Sequence, residues 1–207
     1  MRLVRRGECL LNALLSKKLL NHLYEIRGFS DSEIANFIGV DRTSVVHARR
    51  RFDIPTRKSL GEIGEEYVKK KLERLGFRVK NLNSQDKTSL FDLLVDGRIR
   101  IEVKTSSDYN GKFTFSLTNK EECRNIESRH RVILPNGRTR KLYRLTCDFI
   151  VCVGIKGKQV YPFIIPSNEI SDTKQSISIT PKKGNMYTEY FKLWEQIKKP
   201  DAPTSDH

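Results

Sequence analysis

The run FDLLVDGRIRIEVKTS, from Phe91 to Ser106, carries one carboxylate, Asp92, on a first apolar segment. It carries a second carboxylate and an amine, Glu102 and Lys104, two residues apart on the next. Ile99, Ile101 and Val103 alternate with Arg98, Arg100, Glu102 and Lys104, the pattern of a half-buried strand. A period of two puts Glu102 and Lys104 on one face and the aliphatic residues on the other. Two carboxylates brought to one point repel each other unless a hard divalent cation lies between them. An ammonium beside such a cation can hold and polarise a water or a phosphate oxygen. These groups are the minimum set for metal-assisted hydrolysis of a phosphodiester. The rival reading is a set of charge pairs on an exposed strand face.

The elements that position these residues are constrained in turn. Asp96-Gly97 between two apolar runs marks a tight hairpin. A two-residue turn would pair Asp92 with Ile101 and aim its carboxylate away from Glu102. Co-facing therefore demands an odd loop, such as Asp96 to Arg98, or a bulge that shifts the register by one.

A chain of 207 residues accommodates one sizeable domain or two modest ones. The formal net charge is +14, from 39 basic and 25 acidic residues, and the pI is about 9.7. Such an excess favours a polyanionic partner, because neutralising phosphates releases counterions. Hydrophobic content of 37% suits a folded globule. No apolar run reaches the length of a membrane span. Cys9 to Leu20 is broken by Asn12 and Lys17-Lys18 and has no small-residue cleavage site, so no signal peptide is expected. Cys9, Cys123, Cys147 and Cys152 lack paired metal spacing and read as reduced thiols of a cytoplasmic protein.

A polar stretch around Ile54-Pro55-Thr56 divides the chain into an N-terminal domain, residues 1–56, and a larger one, residues 57–199, before a tail at 200–207 that is expected to be disordered. In the first, Leu10 to Ile26 is compatible with a helix that stops at Gly28. Ser30 and Glu33 stand at capping-box spacing before a short helix with Ile34, Ala35 and Ile38, ending at Gly39. Asp41 is placed to cap a third helix carrying Val45, Val46 and Ala48. This segment resembles the helix-turn-helix of DNA-binding regulators, with small Ala35, turn Gly39 and packing Val45 at the expected offsets. The resemblance implies that Arg42, Thr43, Ser44, His47 and Arg50 face the major groove, with Arg49 and Arg51 on phosphates. The alternative is a structural helical hairpin with a solvated basic face.

In the second domain, Ile63, Tyr67, Val68, Leu72 and Leu75 form a helical stripe ending at Gly76. Strands are predicted at Phe77 to Val79, through the central hairpin, at Phe113 to Leu117, and at Phe149 to Val153 and Val160 to Ile165. Asn119 to Arg140 reads as a flexible basic excursion, and Tyr187 to Ile197 as a last helix. The order makes the fold α/β or α+β.

Gly61-Glu62-Ile63-Gly64-Glu65 opening a helix, then Phe91-Asp92-Leu93 and Glu102-Val103-Lys104, together resemble the PD-(D/E)XK nuclease superfamily over residues 61–165. The run from Tyr143 through Asp148-Phe149-Ile150-Val151 to Ile165-Pro166 resembles its intron-encoded homing endonuclease branch. Phe91 stands where the motif has proline. The resemblance implies a restriction-endonuclease-like mixed sheet flanked by helices, with magnesium or manganese held by Asp92, Glu102 and the carbonyl of Val103. Glu65 would join through a water, or would be only a first-turn acid favoured by the helix dipole. Lys104 would orient or help deprotonate the attacking water.

The resulting reading is a metal-dependent endonuclease of homing or restriction type. It would act on double-stranded DNA as a homodimer or larger symmetric assembly, since two strands need two active sites or two visits. The alternatives are a structure-specific enzyme of the Holliday-junction-resolvase kind and a regulator that no longer cuts. Lys112, Arg129, Arg131, Arg138, Arg140 and Lys141 would clamp DNA backbone or decorate a charged loop. Ser106 would contact a phosphate or end a strand. His47 is a possible base or phosphate contact, or a plain surface histidine. Asp148 would satisfy backbone groups, and Trp194 would join the core.

Overall fold

A computed structural model describes residues 15–83, 89–119, 129–181 and 186–198. The expected tail, Cys9, Cys123 and most of the segment before Arg129 lie outside them. The chain divides into two compact units between Arg57 and Lys58.

In the first unit, helix α1 (Lys17–Asn21) runs on into a π-helical turn, His22–Ile26. Helix α2 (Asp31–Ile38) begins with the Ser30–Glu33 capping box and ends at Gly39, whose φ of 78° is open to glycine without a Cβ penalty. Gly39 and Val40 both donate to the Ala35 carbonyl, so the turn is tied to the helix it closes. Helix α3 (Arg42–Arg51) follows, and Asp41 stands in its N-cap position without using its side chain as a cap. Leu20, Leu23, Tyr24, Ile34, Ala35, Val45, Ala48 and Ile54 make the core.

Arg49 corrects the sequence reading. Four residues on from Val45, it falls on the inward face of α3 and is 3% exposed. Its Nε and Nη2 donate to the Asp31 carboxylate at 2.6 and 2.7 Å, Nη1 donates to the Ile54 carbonyl, and the guanidinium lies over the Tyr24 ring. A side chain spent on this bidentate pair is not available to a phosphate.

The second unit is a mixed α+β fold. Helix α4 (Leu60–Arg74) opens with a Ser59–Glu62 capping box. Its buried line is Gly64, Val68 and Leu72, whereas Ile63 and Leu75, read as core from the sequence, are exposed. Strands β1 (Val79–Asn81), β2 (Leu93–Val95) and β3 (Ile99–Ser107) lead to β4 (Phe113–Ser116) and β5 (Thr118–Asn119). Then come β6 (Arg131–Ile133), β7 (Thr139–Lys141), the short α5 (Tyr143–Thr146), β8 (Phe149–Lys156), β9 (Gln159–Pro166) and β10 (Ser176–Ile179). The central sheet has the order β1-β2-β3-β8-β9, parallel only between β3 and β8. One face packs Leu93, Ile101, Val103, Val151, Val153 and Ile164 against Val68 and Leu72 of α4 and against Trp194. The other packs Ile150, Cys152, Phe163 and Ile165 against Tyr143 of α5, Phe113 and Phe115 of β4, and Ile177 and Ile179 of β10.

Two expected elements differ. Residues 129–141 include the β6–β7 hairpin around Pro135-Asn136-Gly137, and β7 also pairs with β5. The last helix is instead two 3-10 turns, Thr188–Tyr190 and Trp194–Gln196. Lys192, at φ 56°, breaks the helical path and donates its N–H to the Pro162 carbonyl.

Gly64 sets how closely α4 approaches the sheet. A Cβ there would fall 1.9 Å from Thr105 Oγ1. Gly64→Ala is therefore expected to destabilise the chain by about 2 kcal/mol in urea unfolding, despite alanine's better helix propensity. Adding Thr105→Ala, which removes Oγ1 and Cγ2 but leaves Cβ at 3.0 Å, should recover part of that loss.

Candidate active site

The β2–β3 connection is the odd loop. Val95 pairs with Ile99, Leu94 with Arg100 and Leu93 with Ile101, leaving Asp96, Gly97 and Arg98 as the turn. Asp96 and Gly97 take φ of 49° and 73°, and Arg98 N–H returns to the Val95 carbonyl. One step beyond the ladder this register brings Asp92 opposite Glu102, on one face of the sheet.

That face is interior. Asp92 is 8% and Glu102 1% exposed, so β3 is buried on both sides here, and the half-buried pattern read from the sequence is corrected. Glu102 is met by two ammonium groups. Lys104 Nζ lies 2.7 Å from Oε1, and Lys141 Nζ lies 3.1 Å from Oε2 and 3.3 Å from Oε1. Burial works against its charge, but Lys104 and then Lys141 outweigh it and hold the carboxyl below the usual range. Burial also opposes the charge on Lys104, yet Glu102 beside it raises the ammonium's pKa above its ordinary value. Lys104 accordingly keeps its proton and acts as a hydrogen-bond donor in this arrangement.

Asp92 fares differently. Burial, reinforced by the negative charges of Glu102 and Glu65, pushes its pKa up to about 7 against the pull of Lys104 and of the Val103 N–H, which donates to Oδ2 at 2.6 Å. Its other oxygen accepts from Asn83 Nδ2. The same amide donates to Glu65 Oε1 at 3.0 Å, and Asn81 donates to Glu65 Oε2 at 3.1 Å. Glu65 thus reaches the site through Asn83, and a cavity of about 590 Å³ opens beside it, lined also by Lys58, Lys69 and Asn81.

Among the described residues no three His, Cys, Asp or Glu side chains converge as a ready metal cage. The donor chemistry nevertheless fits a hard cation. Asp92, Glu102 and Glu65 offer only oxygens, and burial, with the neighbouring carboxylates adding to it, keeps Asp92 from ionising readily.

Sequence reasoning missed Lys141, Asn81 and Asn83 as members of this site. Nothing in the basic run distinguishes Lys141 from its neighbours, since the contact spans 39 residues. Arg140, also read as a backbone clamp, is fully buried and donates to the Lys174 and Ser171 carbonyls. Lys112, Arg129 and Arg138 remain on the surface. Ser106 Oγ accepts from the Thr114 N–H as a strand hydroxyl. Asp148, as expected, takes the Arg100 backbone N–H and its guanidinium. In the first unit, Arg42, Thr43, His47, Arg50 and Arg51 are exposed along α3, and Ser44 is half-buried.

No family model and no curated protein matches the sequence. Among solved structures, the bacterial homing endonuclease I-Ssp6803I aligns over 67% of this chain and 90% of its own, at 14% identity and a TM-score of 0.49. The Holliday junction resolvase Hjc of Archaeoglobus fulgidus aligns over 70% and 100%, at 12% identity and a TM-score of 0.39. Similarity at this level leaves function to the chain's own residues.

The raised Asp92 value has a stability consequence. Between its ordinary pKa of about 4 and the folded value of about 7, the native state holds a proton that the unfolded chain has lost, so stability falls as pH rises through that window. Asp92→Asn removes this penalty. Without divalent cations, urea unfolding is expected to show little difference from wild type at pH 4 and an advantage for the variant of about 2–4 kcal/mol at pH 8.

Proposed function

We propose that this chain is a metal-dependent DNA endonuclease whose N-terminal helices seat it on duplex DNA. The observation that carries the reading is the register that sets Asp92 opposite Glu102 on a buried face, with Lys104 beside them and Glu65 tied in through Asn83. Asp92, Glu102 and the Val103 carbonyl would hold magnesium or manganese, with Glu65 reaching it through a water. Bound there, the cation supplies Lewis-acid stabilisation of charge on the phosphate and the leaving oxygen. Lys104, kept protonated by Glu102, donates to the attacking water or to a phosphate oxygen and fixes its direction. The buried walls around Asp92 and Glu102 exclude bulk water, which strengthens each of these contacts.

In the first unit, α2, the Gly39 turn and α3 would act as a helix-turn-helix. Arg42, Thr43, Ser44, His47 and Arg50 would face base edges, and Arg51 a phosphate. A net charge of +14 supports a polyanionic substrate. A dedicated reading unit favours a site-specific enzyme of homing or restriction type over a structure-specific resolvase, and cutting both strands favours a homodimer. Presence of both acids and the lysine weighs against a non-cleaving regulator.

Purified chain incubated with genomic and plasmid DNA is expected to cut in magnesium and not in EDTA. Asp92→Ala should slow cleavage by about 100-fold or more. Discrete fragments would mark a sequence-specific enzyme. Tight duplex binding without cutting, across ions and substrates, would overturn the nuclease reading in favour of a regulator.

The two neighbouring arginines of α3 should part company. Arg50→Ala is expected to weaken duplex binding about tenfold in fluorescence anisotropy with an unchanged melting temperature. Arg49→Ala should instead cost about 3 kcal/mol of stability, because it leaves Asp31 unpaired.

A further inference from the structure

Lys141 reaches Glu102 from a different sheet, and its backbone is held firmly. Strand β7 lies between β5 and β6 and pairs with both. The preceding Arg140 is fully buried, with its guanidinium over the Tyr143 ring and bonded to the Ser171 and Lys174 carbonyls. Along a strand, side chains alternate, so anchoring Arg140 on one face delivers Lys141 to the other. There its Nζ contacts both oxygens of Glu102 and, at 3.1 Å, the Leu90 carbonyl.

These contacts leave neither oxygen of Glu102 without an ammonium beside it. Lys104 takes Oε1, and Lys141 takes Oε2 and shares Oε1. A cation that binds Oε2 meets Lys141 there and one that binds Oε1 meets both ammonium groups, so it competes with an ammonium at either oxygen. Lys104 starts two residues away on the same strand and stays beside Glu102. Lys141 is attached through a flexible stem to another sheet and keeps the Leu90 carbonyl as a partner when it lets go.

We propose that Lys141 is a second lysine of the active site: it occupies Glu102 in the metal-free chain, yields that carboxylate to the incoming cation, and then contacts the phosphate being cut. The proposal rests on the endonuclease reading above. It makes Lys141 a competitor of the metal and a helper of the reaction, two effects of opposite sign that a purely structural lysine would not combine.

The test measures Mn²⁺ affinity without DNA, by electron paramagnetic resonance, beside single-turnover cleavage of duplex DNA. Lys141→Met is expected to bind Mn²⁺ about tenfold tighter and to cleave about 100-fold slower. Lys141→Arg, which keeps the charge, should return Mn²⁺ affinity toward wild type and restore part of the rate. Lys141→Gln replaces the Met variant if thermal melting shows that variant unfolded. Mn²⁺ binding by Lys141→Met that is no tighter than wild type, or cleavage at the wild-type rate, overturns the proposal while leaving the endonuclease reading intact. A wild-type chain that binds Mn²⁺ and cuts no DNA overturns both.

Discussion

Asp92, just ahead of β2, stands opposite Glu102 of β3, both almost out of contact with solvent, and the cost of burying two facing carboxylates is the constraint around which the larger unit is arranged. Removing a carboxylate from water costs several kcal/mol unless charge or hydrogen bonds compensate. The compensation here is unequal. Glu102 receives two lysines and stays ionised, whereas Asp92 receives one backbone N–H and one amide, and burial pushes its pKa up to about 7. Stability alone would favour apolar residues at such positions. A pair of carboxylates held at this expense is a place where added positive charge would be stabilising.

The scaffold holds that pair by close backbone approach. Gly64 lets α4 lie against Thr105, two positions past Val103, so the helix bearing Glu65 is fixed relative to the strand bearing Glu102. On the other face, Gly154 of β8 admits the Phe113 ring, whose atoms would lie within 2.7 Å of any Cβ there. The same face carries Tyr143, which closes the apolar side of the site while its hydroxyl donates to the Leu117 carbonyl. Burial pushes that phenol up to about 12, so it remains a neutral wall and hydrogen-bond donor.

The N-terminal unit applies the same economy to arginine. Arg49 turns inward and joins α3 to the start of α2 through Asp31, while Arg42, Arg50 and Arg51 stay outside. A short helix with four arginines thus divides them between holding its own fold and presenting positive charge. That division follows the helical period: position 49 shares a face with Val45, and position 50 does not.

Local signals carried a good deal of this. The capping box at Ser30 and Glu33, the Gly39 stop, the core strands and the pairing of Glu102 with Lys104 on one face are written in spacings of two to four residues. The hairpin also had a local requirement, since only an odd connection lets Asp92 face Glu102, and Asp96-Gly97-Arg98 supplies it. What separates Lys141 from Arg138 and Arg140, and what brings Asn83 into the site, is contact across 18 to 39 residues. Such contacts depend on which strand lies at the centre of a small sheet and which way its alternation falls. The 3-10 turns at the C-terminal end have the same origin, because the Pro162 carbonyl on β9 captures the Lys192 N–H that a helix would have used. Sequence by itself determined which groups could do chemistry and which strand face they share. Tertiary structure alone decided how deeply they are buried and which ammonium groups answer their charge, because desolvation and long-range pairing are properties of the packed chain.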